Sequence, residues 1–180
     1  MKLVILDRDG VINFDSPQFI KNPHEWNPIP GSLEAIALLN QSGFRVALAT
    51  NQSGIERGLF DMATLNAIHD KMHRALAQFG GRIDALFYCP HAAEANCSCR
   101  KPKPGMLEEI ARRFAMDLKD VPNVGDSLRD LQAGEALGTQ NILVRTGKGT
   151  KTLAEGNLPE NTWICDDLAD AVQRIIVELD

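Results

Sequence analysis

The stretch Val4-Ile5-Leu6-Asp7-Arg8-Asp9-Gly10 decides the fold, because an apolar run ends there abruptly in two aspartates. The run Leu3–Leu6 predicts a strand that is buried on both faces, as strands of parallel sheets are. In open α/β sheets the ligand pocket lies just beyond the carboxyl ends of the strands, so both carboxylates are expected to face such a pocket. Gly10 lets the chain turn away directly afterwards.

Two carboxylates this close in sequence repel each other unless a cation lies between them. Asp7 and Asp9 therefore indicate Mg²⁺, which prefers oxygen ligands. A strand followed by an aspartate-rich turn without function explains the short motif equally well. Residues further along the chain have to decide between these two interpretations.

The composition indicates a soluble globular protein. The chain has 180 residues, of which 44% are hydrophobic and 24% charged, and this length suits a single domain over residues 1–180. A net charge of −5 argues against nucleic acid or an anionic membrane as the main partner. No signal-peptide pattern and no apolar run of membrane-spanning length is present. We therefore expect a cytoplasmic monomer that binds neither nucleic acid nor membranes.

Alternating strands and helices predict a three-layer α/β fold with a mostly parallel central sheet. The predicted strands are Leu3–Leu6, Phe44–Ala49, Ile83–Tyr88, Val121–Val124, Asn141–Val144 and, at an edge, Trp163–Cys165. The predicted helices are Ser32–Gln41, a helix capped by Asp61 that ends near Phe79, Pro104–Phe114, Leu128–Leu137 and Leu168–Leu179. The irregular segment 11–30 is too short to form a separate cap domain.

Polar residues at the ends of other predicted strands support a functional site. Thr50, Lys101 and Asp126 each follow a strand or a loop that leaves one. In a parallel sheet they converge on the edge that holds Asp7 and Asp9. Such a set suits phosphoryl transfer from a phosphomonoester, with Asp7 as the nucleophile that forms an aspartyl-phosphate. Asp9 is expected to protonate the departing alkoxide and then to deprotonate the incoming water.

Positive charge has to be in place before an anionic nucleophile can approach a phosphate dianion. We expect Mg²⁺ to be held by Asp7, Asp126 and the backbone carbonyl of Asp9. The ammonium of Lys101 and the hydroxyl of Thr50 are expected to stabilise the charge on the equatorial phosphate oxygens.

A second candidate metal site lies between the third predicted strand and the next helix. Cys89, His91, Cys97 and Cys99 supply three thiolates and one imidazole within eleven residues, which indicates a closed tetrahedral zinc site. Four protein ligands leave no open position for chemistry, so the ion is expected to be structural. The alternative is a set of buried thiols without metal, whereas ring strain and a reducing compartment disfavour a disulfide between Cys97 and Cys99.

Four motifs carry a resemblance to a known superfamily. Asp7-Arg8-Asp9-Gly10, Thr50-Asn51-Gln52, Arg100-Lys101-Pro102 and Gly125-Asp126-x-x-x-Asp130 resemble, in order, the motifs of the haloacid dehalogenase (HAD) phosphatases. The segments that start at Thr50 and Arg100 are also similar to the D-glycero-D-manno-heptose 1,7-bisphosphate 7-phosphatase family. That resemblance implies a Rossmann-like HAD fold and a heptose 1-phosphate product on the route to the ADP-heptose of lipopolysaccharide.

The resemblance also implies a set of substrate contacts. They fall on Asp15, Ser16, Pro17, Gln18, Asn51, Gln52, Ser53 and Arg100. Ser127 follows the aspartate of the fourth motif where some members carry lysine, so one positive charge beside the phosphate is expected to be missing.

Two alternative functions stay open. The five residues between His91 and Cys97 resemble the spacing in histidinol-phosphate phosphatases, whereas Ser53-Gly54-Ile55 and Pro104-Gly105-Met106 favour the heptose enzymes. A catalytically silent module that binds partners through its zinc loop is the second alternative. The intact set of Asp7, Asp9, Lys101 and Asp126 argues against it.

Three further features receive no role in the reaction. His69 borders the apolar stripe of its helix and is expected to be solvated. The segment Thr146–Thr150 lacks the spacing of a nucleotide-binding loop and is expected to be a surface turn. Asp130 is either a residue behind the metal ligands or an ordinary acid in the first turn of a helix.

Overall fold

A computed structural model describes residues 1–179, and Asp180, the last residue of the predicted domain, lies outside the described residues. The strands are β1 (Lys2–Leu6), β2 (Phe44–Asn51), β3 (Ala85–Cys89), β4 (Pro122–Gly125), β5 (Gln140–Val144) and β6 (Trp163–Cys165). The α-helices are α1 (Ser32–Gln41), α2 (Met62–Gln78), α3 (Gly105–Phe114), α4 (Leu128–Glu135), α5 (Gly149–Glu155) and α6 (Leu168–Leu179). Short 3₁₀ turns cover Pro23–Glu25 and Ala93–Ala95.

The strands form one parallel sheet in the order β3-β2-β1-β4-β5-β6. The order reverses between β1 and β4, which is where an open α/β sheet leaves a crevice for ligands. The sequence prediction of a parallel α/β fold is thereby confirmed, with Trp163–Cys165 as an edge strand.

Strand β1 separates two apolar layers, because its side chains point alternately to opposite faces of the sheet. Val4 and Leu6 pack in a cluster with residues of α1, α2 and α6. Leu3 and Ile5 pack on the opposite face with residues of α3 and α4. Full burial of each such side chain contributes roughly 1.5–3 kcal/mol, so both layers fix the position of the strand end that carries Asp7.

The boundaries of several elements differ from the prediction by one or two residues. β2 runs two residues past Ala49, because Thr50 and Asn51 continue the parallel pairing with β3 as far as Cys89. The carboxylate of Asp61 accepts the N–H of Thr64 at 2.8 Å and caps α2, as predicted. Among the described residues, no helix has both the length and the apolar character that crossing a membrane requires.

The expected surface turn is found at residues 146–148, but helix α5 begins inside the predicted segment at Gly149. The buried residues of α5 are Gly149 and Thr152, so the helix has no apolar stripe that a sequence pattern could reveal. Its position is set by polar contacts instead. The hydroxyl of Thr152 donates to the backbone oxygen of Asp126 at 2.8 Å, which ties α5 to the end of β4.

Candidate active site

A cavity of about 230 Å³ opens at the carboxyl ends of β1, β2 and β4. Of the residues predicted to take part in catalysis or magnesium binding, Asp7, Asp9 and Asp126 line it. Thr50 and Lys101 are buried directly behind this wall, with 1% and 4% of their surfaces exposed. Seven of the eight predicted substrate-binding residues also line the cavity, namely Asp15, Ser16, Pro17, Asn51, Gln52, Ser53 and Arg100. Gln18 is exposed and is not among the lining residues.

Lys101 is the buried cation beside the expected nucleophile. Its Nζ lies 3.3 Å from Oδ1 of Asp7 and 2.8 Å from Oδ1 of Asp130. Burial lowers the pKa of Lys101, but the carboxylates of Asp130 and Asp7 outweigh it and the pKa is raised above its ordinary value. Asn51 holds the Lys101 peptide from both sides, as its Oδ1 accepts the Lys101 N–H at 3.1 Å and its Nδ2 donates to the Lys101 carbonyl at 3.2 Å.

Asp7, Asp126 and Asp130 form an acidic cluster, with one oxygen of each within 4.8 Å of the others. Burial raises the pKa of Asp7 to about 7 and that of Asp126 to about 8, and the neighbouring carboxylates contribute to both shifts. A divalent cation between Asp7 and Asp126 would offset this repulsion and keep both carboxylates ionised. The donor set therefore fits magnesium, which prefers hard oxygen ligands.

Asp130 combines the two roles that the sequence left open. Its Oδ2 accepts the backbone N–H groups of Asp126 and Ser127 at 3.2 and 3.1 Å, at the start of α4. Its Oδ1 accepts from Nζ of Lys101. Through these contacts Asp130 positions Lys101 and the backbone around Asp126, beside the candidate magnesium ligands.

Backbone atoms of two glycines and of Lys148 lie close to the carboxylate of Asp126. Gly10 and Gly147 have φ angles of +83° and +57°, and a Cβ atom at either position would overlap the Asp126 side chain. The backbone N–H of Lys148 donates to Oδ2 of Asp126 at 2.8 Å. The loop expected to be a surface turn is therefore part of the site, and it fixes the orientation of this candidate metal ligand.

Four hydrogen bonds orient the carboxylate of Asp9, the predicted general acid/base. Oδ1 accepts from Nε of Arg8 at 3.0 Å and from Nδ2 of Asn13 at 2.9 Å. Oδ2 accepts from Nη2 of Arg8 at 3.2 Å and from Nε2 of Gln52 at 3.1 Å. The same amide group of Gln52 donates to the Thr50 hydroxyl at 2.9 Å, so Gln52 links Asp9 to Thr50 of β2.

The sequence analysis expected His69 to be solvated, and this was wrong. His69 is buried, with 6% of its surface exposed. Its Nε2 lies 3.1 Å from Nη1 of Arg8. The periodicity of α2 placed His69 at the border of the apolar stripe correctly. What the pattern could not show is that a buried arginine from the first motif covers that border.

Several cations at the cavity rim escaped the sequence analysis. Arg57, Arg129 and Lys148 line the cavity together with the predicted Arg100. Burial, Arg129 and Arg57 all lower the pKa of Arg100, which shows that positive charges are crowded here. Other cations therefore supply positive charge near Ser127, where the sequence analysis expected one positive charge to be missing. Arg129 lies three residues after Asp126, and this nearness in sequence to a predicted site residue could have indicated its place at the cavity.

The four predicted zinc ligands converge, with their ligand atoms within 4.8 Å of one another. Four of the separations between sulfur and nitrogen atoms are 3.4–3.6 Å. These are near the roughly 3.5–3.8 Å edges of a tetrahedron around zinc with thiolate and imidazole ligands. The Sγ atoms of Cys99 and Cys89 are closer, at 2.8 Å. The cysteines of the described chain form no disulfides, and the convergence of the four side chains is compatible with a zinc ion.

The loop that carries the predicted zinc ligands contacts residues that line the cavity. The carbonyl of Cys89 accepts the N–H of Gln52 at 2.7 Å, and the carbonyl of Pro90 accepts that of Glu56 at 3.2 Å. The carboxylate of Glu56 accepts the N–H of Ala92 in return. Nη1 of Arg100 donates to the carbonyl of His91 at 3.3 Å. The folded loop therefore holds two residues of the cavity wall, since its backbone carbonyls accept hydrogen bonds from Gln52 and from Arg100.

Comparisons with known proteins agree with this geometry. A family model for HAD-hydrolase-like proteins matches residues 98–171. A D-glycero-beta-D-manno-heptose-1,7-bisphosphate 7-phosphatase of Bordetella bronchiseptica is 62% identical over 178 residues, which cover 99% of both chains. A protein of the same name from Pseudomonas putida is 53% identical over 98% of this chain and 100% of its own length.

A solved structure extends the similarity to three dimensions. The crystal structure of D,D-heptose 1,7-bisphosphate phosphatase from B. bronchiseptica, complexed with magnesium and phosphate, matches with a TM-score of 0.98 over 99% of both chains at 62% identity. Identity of this extent over the whole of both chains leaves no large insertion to separate the two proteins. The chain therefore belongs to the D-glycero-β-D-manno-heptose-1,7-bisphosphate 7-phosphatase family of HAD phosphatases.

Proposed function

We propose that this protein is a magnesium-dependent phosphatase that removes the C7 phosphate of D-glycero-β-D-manno-heptose 1,7-bisphosphate. The observation that carries the proposal is the convergence of Asp7, Asp9, Lys101 and Asp126 on one cavity, in a chain 62% identical to a phosphatase of that name. The β configuration at C1 comes from the names of the relatives. The product, heptose 1-phosphate, belongs to the route to ADP-heptose and lipopolysaccharide.

Asp7 is the proposed nucleophile. One of its oxygens forms a bond to phosphorus while the bond from phosphorus to the C7 oxygen breaks. Lys101 lies 3.3 Å from Asp7 and offers positive charge beside the transferring group. The hydroxyl of Thr50 lies behind the same wall and is proposed to donate to an equatorial phosphate oxygen. Together these groups stabilise charge that grows in the transition state.

Asp9 is the proposed proton carrier. It gives a proton to the departing C7 oxygen and later takes one from the water that hydrolyses the aspartyl-phosphate. Asp9 retains 22% exposure of its side chain toward the cavity, so water and substrate can reach it. Arg8, Asn13 and Gln52 fix its direction, which proton transfer requires.

Asp7, Asp126 and the backbone carbonyl of Asp9 are the proposed magnesium ligands. When bound, the ion supplies positive charge that offsets the repulsion between Asp7 and the phosphate. Cys89, His91, Cys97 and Cys99 are the proposed ligands of a structural zinc ion. Zinc binding keeps the loop folded and so keeps Arg100 and Gln52 at the cavity.

The charge around the cavity supports a substrate with two phosphates. Arg57, Arg100, Arg129 and Lys148 line the cavity, whereas the chain as a whole carries a net charge of −5. The cations are therefore concentrated where an anionic substrate binds. A single phosphatase domain without a separate cap leaves this rim to loops, including residues 15–18. The monomeric state and cytoplasmic location expected from the sequence stay predictions.

Steady-state phosphate release tests the proposal. The β and α anomers of heptose 1,7-bisphosphate are compared with histidinol phosphate, at equal enzyme and magnesium concentrations. We expect kcat/KM for the β anomer to exceed that for histidinol phosphate by about a hundredfold, which corresponds to about 2.7 kcal/mol of transition-state stabilisation.

A preference for histidinol phosphate would overturn the substrate assignment. It would also show that the five-residue spacing between His91 and Cys97 is a better guide to the substrate than Ser53-Gly54-Ile55. A preference for the α anomer would leave the chemistry in place and reverse the proposed specificity at C1.

A further inference from the structure

A row of three side chains connects helix α2 with the proposed proton carrier. Nε2 of His69 lies 3.1 Å from Nη1 of Arg8. The other two nitrogens of the same guanidinium, Nε and Nη2, reach Oδ1 and Oδ2 of Asp9 at 3.0 and 3.2 Å. Each nitrogen of Arg8 therefore has an assigned acceptor, and the guanidinium is fixed between a helix and the cavity wall.

The burial of Arg8 makes these contacts necessary. Its side chain is completely shielded from solvent, yet arginine stays charged at every pH at which proteins fold. A buried charge is tolerated only where it is paired and hydrogen-bonded, because an unpaired one loses its hydration without compensation. Asp9 pairs with one edge of the guanidinium, and His69 accepts at the other.

His69 has the protonation state that an acceptor requires. Burial and the positive charge of Arg8 lower the pKa of His69 to about 3. The imidazole is therefore neutral at physiological pH, with its proton on Nδ1 and the lone pair on Nε2 directed at Arg8. A protonated imidazole would place two positive charges against each other in the same buried space.

We propose that His69 is a positioning residue, which holds Arg8 in place and through Arg8 sets the direction of the Asp9 carboxyl group. The inference rests on the proposed function, since it concerns the role of Asp9 as proton carrier. Asn13 and Gln52 contact Asp9 as well, but each supplies one donor to one oxygen. Arg8 alone bridges both oxygens, so movement of Arg8 rotates the whole carboxyl group.

Two substrates with different leaving groups can show whether a substitution of His69 disturbs the proton carrier or the structure in general. The alkoxide of a sugar hydroxyl is a poor leaving group and needs a proton from Asp9 as it departs. The leaving group of p-nitrophenyl phosphate is the anion of p-nitrophenol, which is a far stronger acid than an alcohol, so this group departs without a proton. The ratio kcat/KM reports the steps up to transfer of the phosphoryl group to Asp7, where this difference operates.

The test compares His69→Leu with wild-type enzyme on both substrates. We expect kcat/KM for β-heptose 1,7-bisphosphate to fall about tenfold through kcat, with KM little changed, and kcat/KM for p-nitrophenyl phosphate to change by less than about twofold. His69→Gln places an amide oxygen near the position of Nε2 and should restore the sugar-phosphate activity to within about twofold of wild type.

His73→Leu is the matched control, because His73 lies four residues further along α2 and is exposed. It should behave as wild type on both substrates. Thermal melting establishes that each variant is folded. If His69→Leu does not fold, His69→Asn replaces it, as its amide keeps a polar group but is too short to reach Arg8.

Three results overturn the inference. The first is unchanged activity of His69→Leu on both substrates, and the second is an equal loss of its activity on both. The third is a sugar-phosphate activity of His69→Gln that is no higher than that of His69→Leu. The proposed function is tested separately in the same assay. Wild-type enzyme without activity on heptose 1,7-bisphosphate would overturn the proposed function. Full activity of Asp9→Asn would overturn the role of Asp9 as proton carrier and the inference with it.

Discussion

The two candidate metal sites of this protein differ in what supports them. The acidic cluster with Asp7 and Asp126 lies at the ends of β1 and β4, between two apolar layers, and opens into the cavity. The cysteine-histidine cluster joins Cys89, the last residue of β3, to the loop that follows it, and it offers four protein ligands. One site is placed by the fold, whereas the other has to fold its own surroundings.

The difference explains the choice of ligands. Hard carboxylates on rigid strands leave positions for substrate and water, which a catalytic ion needs. Three thiolates and an imidazole bind zinc strongly enough to order a loop that has little core of its own. Substitutions in the first site should therefore change the reaction with little effect on stability, and those in the second should do the reverse.

The sharpest form of this contrast is Asp7→Asn. We expect kcat to fall at least about a thousandfold, because an amide cannot replace the carboxylate as nucleophile. The melting temperature should not fall, since the substitution removes one charge from a crowded acidic cluster. Phosphate release and thermal melting measure the two effects, with Asp70→Asn on the exposed side of α2 as the matched control. Activity near that of the control would exclude Asp7 as the nucleophile.

Magnesium affinity should depend on pH at the acidic cluster. Burial raises the pKa of Asp7 to about 7 and that of Asp126 to about 8, whereas carboxyl groups in an unfolded chain titrate near 4. The folded, metal-free protein therefore keeps protons that the unfolded chain has lost, and its free energy of unfolding decreases as the pH rises from about 4 to 8.

Magnesium has to displace these protons, so its binding should strengthen over part of the same range. We expect the Kd for Mg²⁺ to fall between pH 6 and pH 8, by about tenfold per pH unit for each proton displaced. Calorimetric titration at pH 6, 7 and 8 measures this. Asp126→Asn should bind weakly and with a smaller pH dependence. Equal affinity at all three pH values would contradict the prediction.

Cys97→Ser tests the loop site. We expect zinc content to drop and the free energy of unfolding to fall by about 2 kcal/mol, which lowers the melting temperature by about 4–8 °C in a chain of this size. KM should rise more than kcat falls, because the loop holds Arg100 and Gln52 at the cavity. Metal analysis, melting and kinetics follow the three effects.

Cys165→Ser is the control for Cys97→Ser, since it also exchanges a sulfur for an oxygen but lies in the apolar cluster on the opposite face of the sheet. It should keep zinc at the wild-type level. Zinc content unchanged in Cys97→Ser would show that the cluster is not the zinc site.

The smallest expected effect concerns the support of the acidic site by α5. Thr152→Val removes the hydroxyl that donates to the backbone oxygen of Asp126 and leaves this buried oxygen without that partner. The loss should be about 1 kcal/mol, or about 2–4 °C in melting temperature. Thr150→Val removes an exposed hydroxyl from the same helix and should cost less. Equal melting temperatures for the two variants would show that the buried contact contributes no more than the exposed hydroxyl of Thr150, which donates to the carbonyl of Arg145 at 3.1 Å.

The sequence was sufficient to predict those parts of the fold that are marked by hydrophobic periodicity or by polar residues at the end of a strand. The apolar run before Asp7 predicts β1, and the spacing of Cys89, His91, Cys97 and Cys99 predicts their convergence. The parallel arrangement of the strands followed from their alternation with helices. These features depend on local pattern, which a single sequence records directly.

Contacts between distant segments were not accessible in the same way. The contact of Lys148 with Asp126 joins two loops 22 residues apart, and no local pattern marks either end of it. The contact of Arg8 with His69 spans 61 positions and turns the border of an apolar stripe into a polar pocket. Both depend on how elements pack, so they require the three-dimensional arrangement.

The glycines that enclose Asp126 have a consequence for how enzymes of this shape can diversify. Gly10 and Gly147 leave no room for any side chain against that carboxylate, so each substitution there disturbs the hydrolytic centre. The cations at the cavity rim have no comparable restriction, and Arg57 and Lys148 are exposed. New substrates are therefore accessible through changes at the rim, while the machinery that cleaves the phosphate ester is inherited unchanged.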